Sequence, residues 1–186
     1  MVGPTLVGKK AKLRPLRDDD LERRVKWLND PETYKLLMGC EPSRQLYLAD
    51  AQRWRSILES DPSALVFAID TIYGRHIGDV DLHNIDKSKK SAKLTILIGD
   101  KSYWNRGYGS DVIKTLLNYA FSELGLESVA LRVFAFNKRA MRCYEKCGFR
   151  QVESKPIDSN TEEISMVATK ESFASAMLQN QQLKAA

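Results

Sequence analysis

Histidine and cysteine are scarce: two histidines and three cysteines occur among 186 residues. Cys40, Cys143, Cys147, His76 and His83 offer no metal-ligand spacing, so no metal site is expected. An odd cysteine count without framework spacing excludes a disulfide scaffold and fits free, reduced thiols. No apolar run approaches the roughly 18 residues of a membrane span. The opening MVGPTLVGKK has too short and broken an apolar stretch for a secretory signal, so cytoplasmic residence and no membrane partner are expected. A strong charge of one sign is also missing. The balance of 29 Lys+Arg against 24 Asp+Glu leaves +5, which helps attract an anionic cofactor or a ribosomal surface. It is not the concentrated basic stripe of a dedicated nucleic-acid binder. Internal repeats and low-complexity segments are absent.

The length suits one domain with a sizeable core, expected over residues 1–178 with a C-terminal tail over 179–186. Residues 9–16 read as a first strand with Leu13 and Leu16 turned inward. Asp18, Asp19 and Asp20 favour a helix over about 19–29, and Asn29-Asp30-Pro31 stops it. A second helical region starts near Glu32, breaks near Gly39 and Pro42, and continues over about 43–59. Strands are expected over 64–70, 76–84 and 92–99, an antiparallel meander. In His76–Asn84, Ile77, Val80 and Leu82 are apolar, whereas Asp79, Asp81 and His83 share the other parity and read as solvent-facing. Then follow helix 108–124, strand 128–135, helix 138–147 and strands 148–154 and 163–169. The strand-helix-strand passage implies one parallel pair. The fold class is α/β (α+β), a mixed, mostly antiparallel sheet of six or seven strands with helices on both faces.

The stretch Ile96–Phe121 organises the chain. An apolar strand ends in a glycine, a polar loop follows, and Arg106-Gly107-Tyr108-Gly109-Ser110 opens a helix. Such a turn leaves unpaired backbone N–H groups at the positive end of a helix, which suits a phosphate. A nucleoside-triphosphate loop needs Gly-Lys-Ser/Thr, and here Gly109-Ser110-Asp111 follows. A dinucleotide site needs a third glycine, and position 112 is Val112.

About thirty residues later stands Asn137-Lys138-Arg139-Ala140-Met141-Arg142-Cys143-Tyr144-Glu145-Lys146-Cys147-Gly148-Phe149. The pair of motifs, W-N-R-G-Y-G and N-x-R-A-x-x-x-Y-E-K-x-G-F, resembles the GNAT superfamily of acetyl-CoA-dependent N-acetyltransferases. The opening GKKAKLRPLRDDDLERRVKWLNDPE is similar to the branch containing the Rim-type acetyltransferases of ribosomal-protein N-termini. The resemblance covers roughly residues 9–170 and implies a GNAT fold with acetyl-CoA as cosubstrate. In the family pattern Q/R-x-x-G-x-G/A the first position is Trp104, a departure. By resemblance, the backbone of Arg106, Gly107, Tyr108, Gly109 and Ser110 holds the pyrophosphate, assisted by the Arg106 guanidinium. The strand carrying Leu97 and Ile98 pairs with the pantetheine arm, Asn137 hydrogen-bonds that arm, and Arg139 lies within reach of phosphate. Tyr144 matches the tyrosine that donates a proton to the departing thiolate.

The resemblance leaves the proton acceptor open, because Lys93 stands where many relatives carry glutamate. Asp79, Asp81, His83 and Glu41 remain as candidates, beside a water relay. The acceptor ranks as a protein or peptide N-terminal amine ahead of a small amine such as an aminosugar, antibiotic or polyamine. Lys87, Lys89, Lys90 and Lys93 would repel a polycation. A non-catalytic acyl-CoA-binding module is the rival from another class. An exposed sheet edge or the C-terminal segment offers a surface for a homodimer.

Overall fold

Every residue of Leu65–Thr71 is buried, and the reason is that both faces of this strand are covered. The computed structural model describes residues 3–159 and 161–185, with the side chains of 183–185 left out. The expectations touching Met1, Val2, Asn160 and Ala186 therefore lie outside the described residues. The strands are β1 (Leu6–Val7), β2 (Ala11–Arg14), β3 (Leu65–Thr71), β4 (His76–Asp86), β5 (Ser91–Ile98), β6 (Ser128–Phe134), β7 (Arg150–Pro156) and β8 (Glu162–Thr169). They form one eight-stranded sheet in the order β1-β2-β3-β4-β5-β6-β8-β7. The six or seven strands expected become eight because Leu6–Val7 pairs with Lys12 and Leu13; two residues carry no readable period.

Helices α1 (Asp18–Leu28), α2 (Pro31–Met38) and α3 (Leu48–Ser60) follow β2; α4 (Tyr108–Ser122), α5 (Lys138–Glu145) and α6 (Lys170–Ala185) come later. The main core lies between the sheet and α4. Phe67, Ile69, Val80, Leu82 and Leu94 meet Val112, Ile113, Leu116, Leu117 and Ala120 there. The opposite parity of β3, Val66 and Ala68, packs with Leu16 beneath Trp54 and Leu58 of α3. Two apolar layers on a single sheet follow from this alternation.

Two local differences from the sequence reading have physical causes. The stretch before α3 is not helical, because the Asn29 amide accepts from the Leu46 N–H at 2.8 Å and donates to its carbonyl at 2.9 Å. Asp50 then accepts the Tyr47 N–H at 2.9 Å and starts the helix. Residues 179–185, expected as part of a tail, continue α6. Asn180 Nδ2 donates to the Lys146 carbonyl at 3.1 Å and ties that helix to the end of α5.

Candidate active site

Strands β5 and β6 run parallel but pair only at Ser91, Ala92 and Lys93 with Ser128, Val129 and Ala130. Beyond Lys93 they part, and the free edges border a cavity of about 810 Å³. Residues 94–98 and 131–134 line its flanks, with Gly107–Ser110 at its mouth. The split leaves backbone N–H and C=O groups of β5 facing a cleft rather than a neighbouring strand, and such groups call for a partner.

At the mouth, Gly107 adopts φ 81° as the N-cap of α4, a conformation that a side chain disfavours. The first intrahelical bond runs from the Asp111 N–H to the Gly107 carbonyl at 3.1 Å. The N–H groups of the turn before it have no acceptor inside the helix. Asp111 fixes the turn against β2, accepting from the backbone of Lys9, Lys10 and Ala11 at 3.1, 2.8 and 3.0 Å. Lys10 Nζ adds a bond to the Arg106 carbonyl at 2.8 Å. A Cβ at Gly107 would meet Lys10 Nζ at 3.7 Å, so the cradle stays open. Arg106 itself is exposed and is absent from the cavity wall. The other residues singled out from the sequence, Leu97, Ile98, Gly107, Tyr108, Gly109, Ser110, Asn137, Arg139 and Tyr144, all line this one cavity.

Asn137 caps α5, accepting from the Ala140 N–H at 3.2 Å, and its Nδ2 donates to the Leu36 carbonyl of α2 at 3.4 Å. The protein thus makes one bond to each end of this amide, which lines the cavity with a second N–H and a second lone pair still available. Tyr144 is buried against Phe149, with ring centroids 5.8 Å apart. Burial raises its phenol above the ordinary value, so the hydroxyl keeps its proton across the physiological range. Two features beside these were not legible. Arg139 stacks on the Trp104 ring at 3.5 Å, and the only hint was tryptophan in a position expected to be Gln or Arg. Cys143 Sγ lies 3.2 Å from Ser110 Oγ. Hydrogen bonding from Cys147, with Ser110 adding to it, draws the Cys143 thiol below its usual value.

The opposite side of the cleft is built from α2 and the other parity of the sheet. Thr33, Leu36 and Leu37 face Lys93, Thr95, Arg132 and Phe134. Arg132 is paired with Glu163 at 3.2 Å. Asp79 and Asp81, expected at solvent-facing positions, are buried, because α1 and α3 cover that face. Arg24 neutralises Asp79 directly, and its guanidinium lies 3.5 Å from the Trp54 centroid. Asp81 accepts from His83 Nδ1 at 2.6 Å, and burial raises the Asp81 carboxyl above the usual range. His83 lines the cavity. Glu41 does not; it pairs with Lys35 at 2.8 Å on the surface. Among the described residues no group of His, Cys, Asp and Glu could hold a metal ion.

A sheet split between a parallel pair, with a glycine-capped helix N-terminus at the mouth of the gap, defines the class as an α/β protein with a cleft suited to an extended anionic ligand. Residues 10–150 match the family described as Acetyltransferase (GNAT) domain, and the chain belongs to that family. Acetyl-CoA is the acetyl donor of its enzymes. The chain is similar to alpha/beta-tubulin-N-acetyltransferase 9 of Mus musculus, 22% identical over 165 residues, 79% of this chain and 64% of that protein. Spermidine N(1)-acetyltransferase of Vibrio cholerae is 31% identical over 83 residues, 45% of this chain and 47% of that one. The chain thus spans between about half and two thirds of these relatives' lengths. In fold it is similar to spermidine N-acetyltransferase from Vibrio cholerae in complex with CoA and spermine. The TM-score there is 0.76 at 21% identity, covering 88% of this chain and 98% of that one. A GNAT-family acetyltransferase from Bacillus anthracis gives TM-score 0.74 at 18% identity, with 90% and 99% covered. Among the described residues no helix is long and apolar enough to cross a membrane.

Proposed function

We propose that this protein transfers acetyl from acetyl-CoA to the N-terminal amine of a protein or peptide, in the cytoplasm. The observation that carries the reading is the single cavity joining the parted edges of β5 and β6, the Gly107 turn and Tyr144. The open glycine cradle fits an anionic pyrophosphate, held by the backbone N–H groups of residues 106–110. Arg139 supplies a fixed cation beside it. The parted edge of β5 up to Leu97 and Ile98, where the Ile98 carbonyl is taken by Trp104 Nε1, gives a flexible amide-bearing arm the hydrogen bonds that a strand would otherwise make.

Catalysis then follows from placement. The amine nitrogen attacks the acetyl carbonyl, the N–C bond forms and the C–S bond breaks. Tyr144 gives its proton to the departing thiolate and regains one from solvent. Holding both reactants in one cleft supplies much of the rate.

The choice of acceptor rests on charge. Lys93 and Arg132 line the acceptor side, and Glu163 is already paired with Arg132. A polyamine needs unpaired carboxylates, and a neutral or acidic peptide does not. The similarity to the tubulin acetyltransferase over 79% of this chain supports a protein acceptor. The matching experiment incubates purified protein and acetyl-CoA with unblocked peptides, spermidine and aminosugars, and follows free thiol. Release with peptides ahead of polyamines is expected. Preference for spermidine would move the acceptor to small amines; CoA binding without release by any amine would make this a non-catalytic acyl-CoA-binding module.

A further inference from the structure

Strand β4 carries its apolar residues Val80 and Leu82 into the α4 layer, so Asp81 and His83 project from the opposite face. Tyr144 belongs to the α4 layer. His83 and Tyr144 therefore reach the same cavity from opposite sides of the sheet. His83 pairs across β4 and β5 with Lys93, and Lys93 is the last residue at which β5 is bonded to β6. The His83 backbone thus stands one strand spacing, about 5 Å, from the apex of the split. Its side chain is 29% exposed, while that of Asp81 is 7% exposed. With Asp81 ionised, its 2.6 Å contact sets the proton on His83 Nδ1 and leaves Nε2 with a free lone pair.

We propose that His83 Nε2 takes the proton of the attacking amine and that Asp81 positions the ring for it. The inference rests on the acetyl-transfer reading above and names the proton acceptor for that reaction. The N–C bond forms as the amine proton passes to Nε2, and the partly exposed ring returns that proton to water. Tyr144 serves the sulfur from the other face. The charged groups facing His83 are Asp81 on its own strand, Lys93 on β5, and Asp61 at the end of α3. Behind Asp81 stand Asp79 and Arg24.

Two measurements test this. The first follows acetylation of an unblocked, lysine-free peptide against pH. His83→Gln is expected to lower kcat/KM by about 100-fold and to abolish the wild-type acidic limb, while affinity for acetyl-CoA stays within about twofold. A wild-type rate and profile in His83→Gln overturns the assignment. Absence of any transfer by wild-type protein with every amine would instead overturn the acetyl-transfer reading. The second needs no acceptor. Nitrogen-15 NMR of the imidazoles, assigned through His83→Gln, is expected to show His83 protonated at Nδ1 and bare at Nε2 near neutral pH. Asp81→Asn is expected to remove that tautomer preference and to lower turnover in step. A wild-type ring bare at Nδ1, or one whose tautomer Asp81→Asn leaves unchanged, overturns the pairing.

Discussion

The Arg139 guanidinium carbon lies over the Trp104 indole, 3.5 Å from the ring centroid, and the same indole donates from Nε1 to the Ile98 carbonyl at 2.6 Å. One side chain thus fixes both a cation and the end of β5. Trp104→Ala removes a stacking contact and a hydrogen bond, each worth about 1 kcal/mol. Calorimetric titration with CoA is expected to show affinity weakened by roughly 10- to 30-fold. Trp104→Phe, which keeps a ring but no N–H, is expected to fall between the two.

Tyr144→Phe keeps the packing against Phe149 and deletes only the hydroxyl. In steady-state assays kcat is expected to drop by about 100-fold or more, with CoA affinity nearly unchanged. A variant as active as wild type would take the acid role away from Tyr144.

Cys143 lies at the cavity wall beside Ser110, whereas Cys40 is exposed just beyond the C-cap of α2 and does not line the cavity. With its thiol drawn below the usual value, Cys143 is expected to react with iodoacetamide at neutral pH, faster as pH rises. Saturating CoA is expected to slow modification of Cys143 and leave Cys40 unaffected, as peptide mass analysis can read. Equal protection of both thiols would argue that CoA occupies some other place.

Acid should destabilise the fold in two stages. His76 is buried, donates from Nε2 to the Gly78 carbonyl at 2.8 Å, and is held below its ordinary value by burial. The unfolded chain therefore takes up a proton that the folded one refuses, and stability falls as pH drops below about 6.5. Asp20 forms the second stage. Burial pushes its carboxyl up, but hydrogen bonds from Arg14 and the Arg17 backbone outweigh that and leave it lowered. A depressed carboxyl stabilises the fold above its unfolded value, near 3.9, and that contribution is lost as pH falls further. Urea midpoints measured from pH 7 to 3 are expected to show both slopes, with Asp20→Asn flattening the lower one. Asp20→Ala leaves Arg14 only Asp70 as a buried partner, at a cost of about 3–5 kcal/mol.

Local pattern carried the order of elements because burial on the α4 side is periodic. Leu116, Leu117, Ala120 and Phe121 all lie in the core that their helical spacing announces. The glycine turn was equally legible, since Gly107 is required by its backbone angle. What local pattern cannot encode is pairing across the chain. Asp79 and Asp81 alternate like surface residues, yet their face is covered by α1 and α3, and Arg24, 55 residues away, makes the burial of Asp79 tolerable. The stacking of Arg139 on Trp104 and the engagement of Asn137 by Leu36 are likewise meetings of distant segments. The start of α3 was missed because Asn29 holds Leu46 in an extended turn from outside the helix.

Three paired positions join β5 to β6, and through them a five-stranded half, β1 to β5, meets a three-stranded half made of β6, β8 and β7. The sheet is in this sense notched along a seam, with fewer rungs there than at any other junction except the two-residue β1 edge. An occupant that pairs with these edges, as proposed above, would add the missing rungs. Occupancy of the cleft then adds its binding free energy to the stability of the fold, so the occupied protein is expected to open along the seam less readily than the empty one.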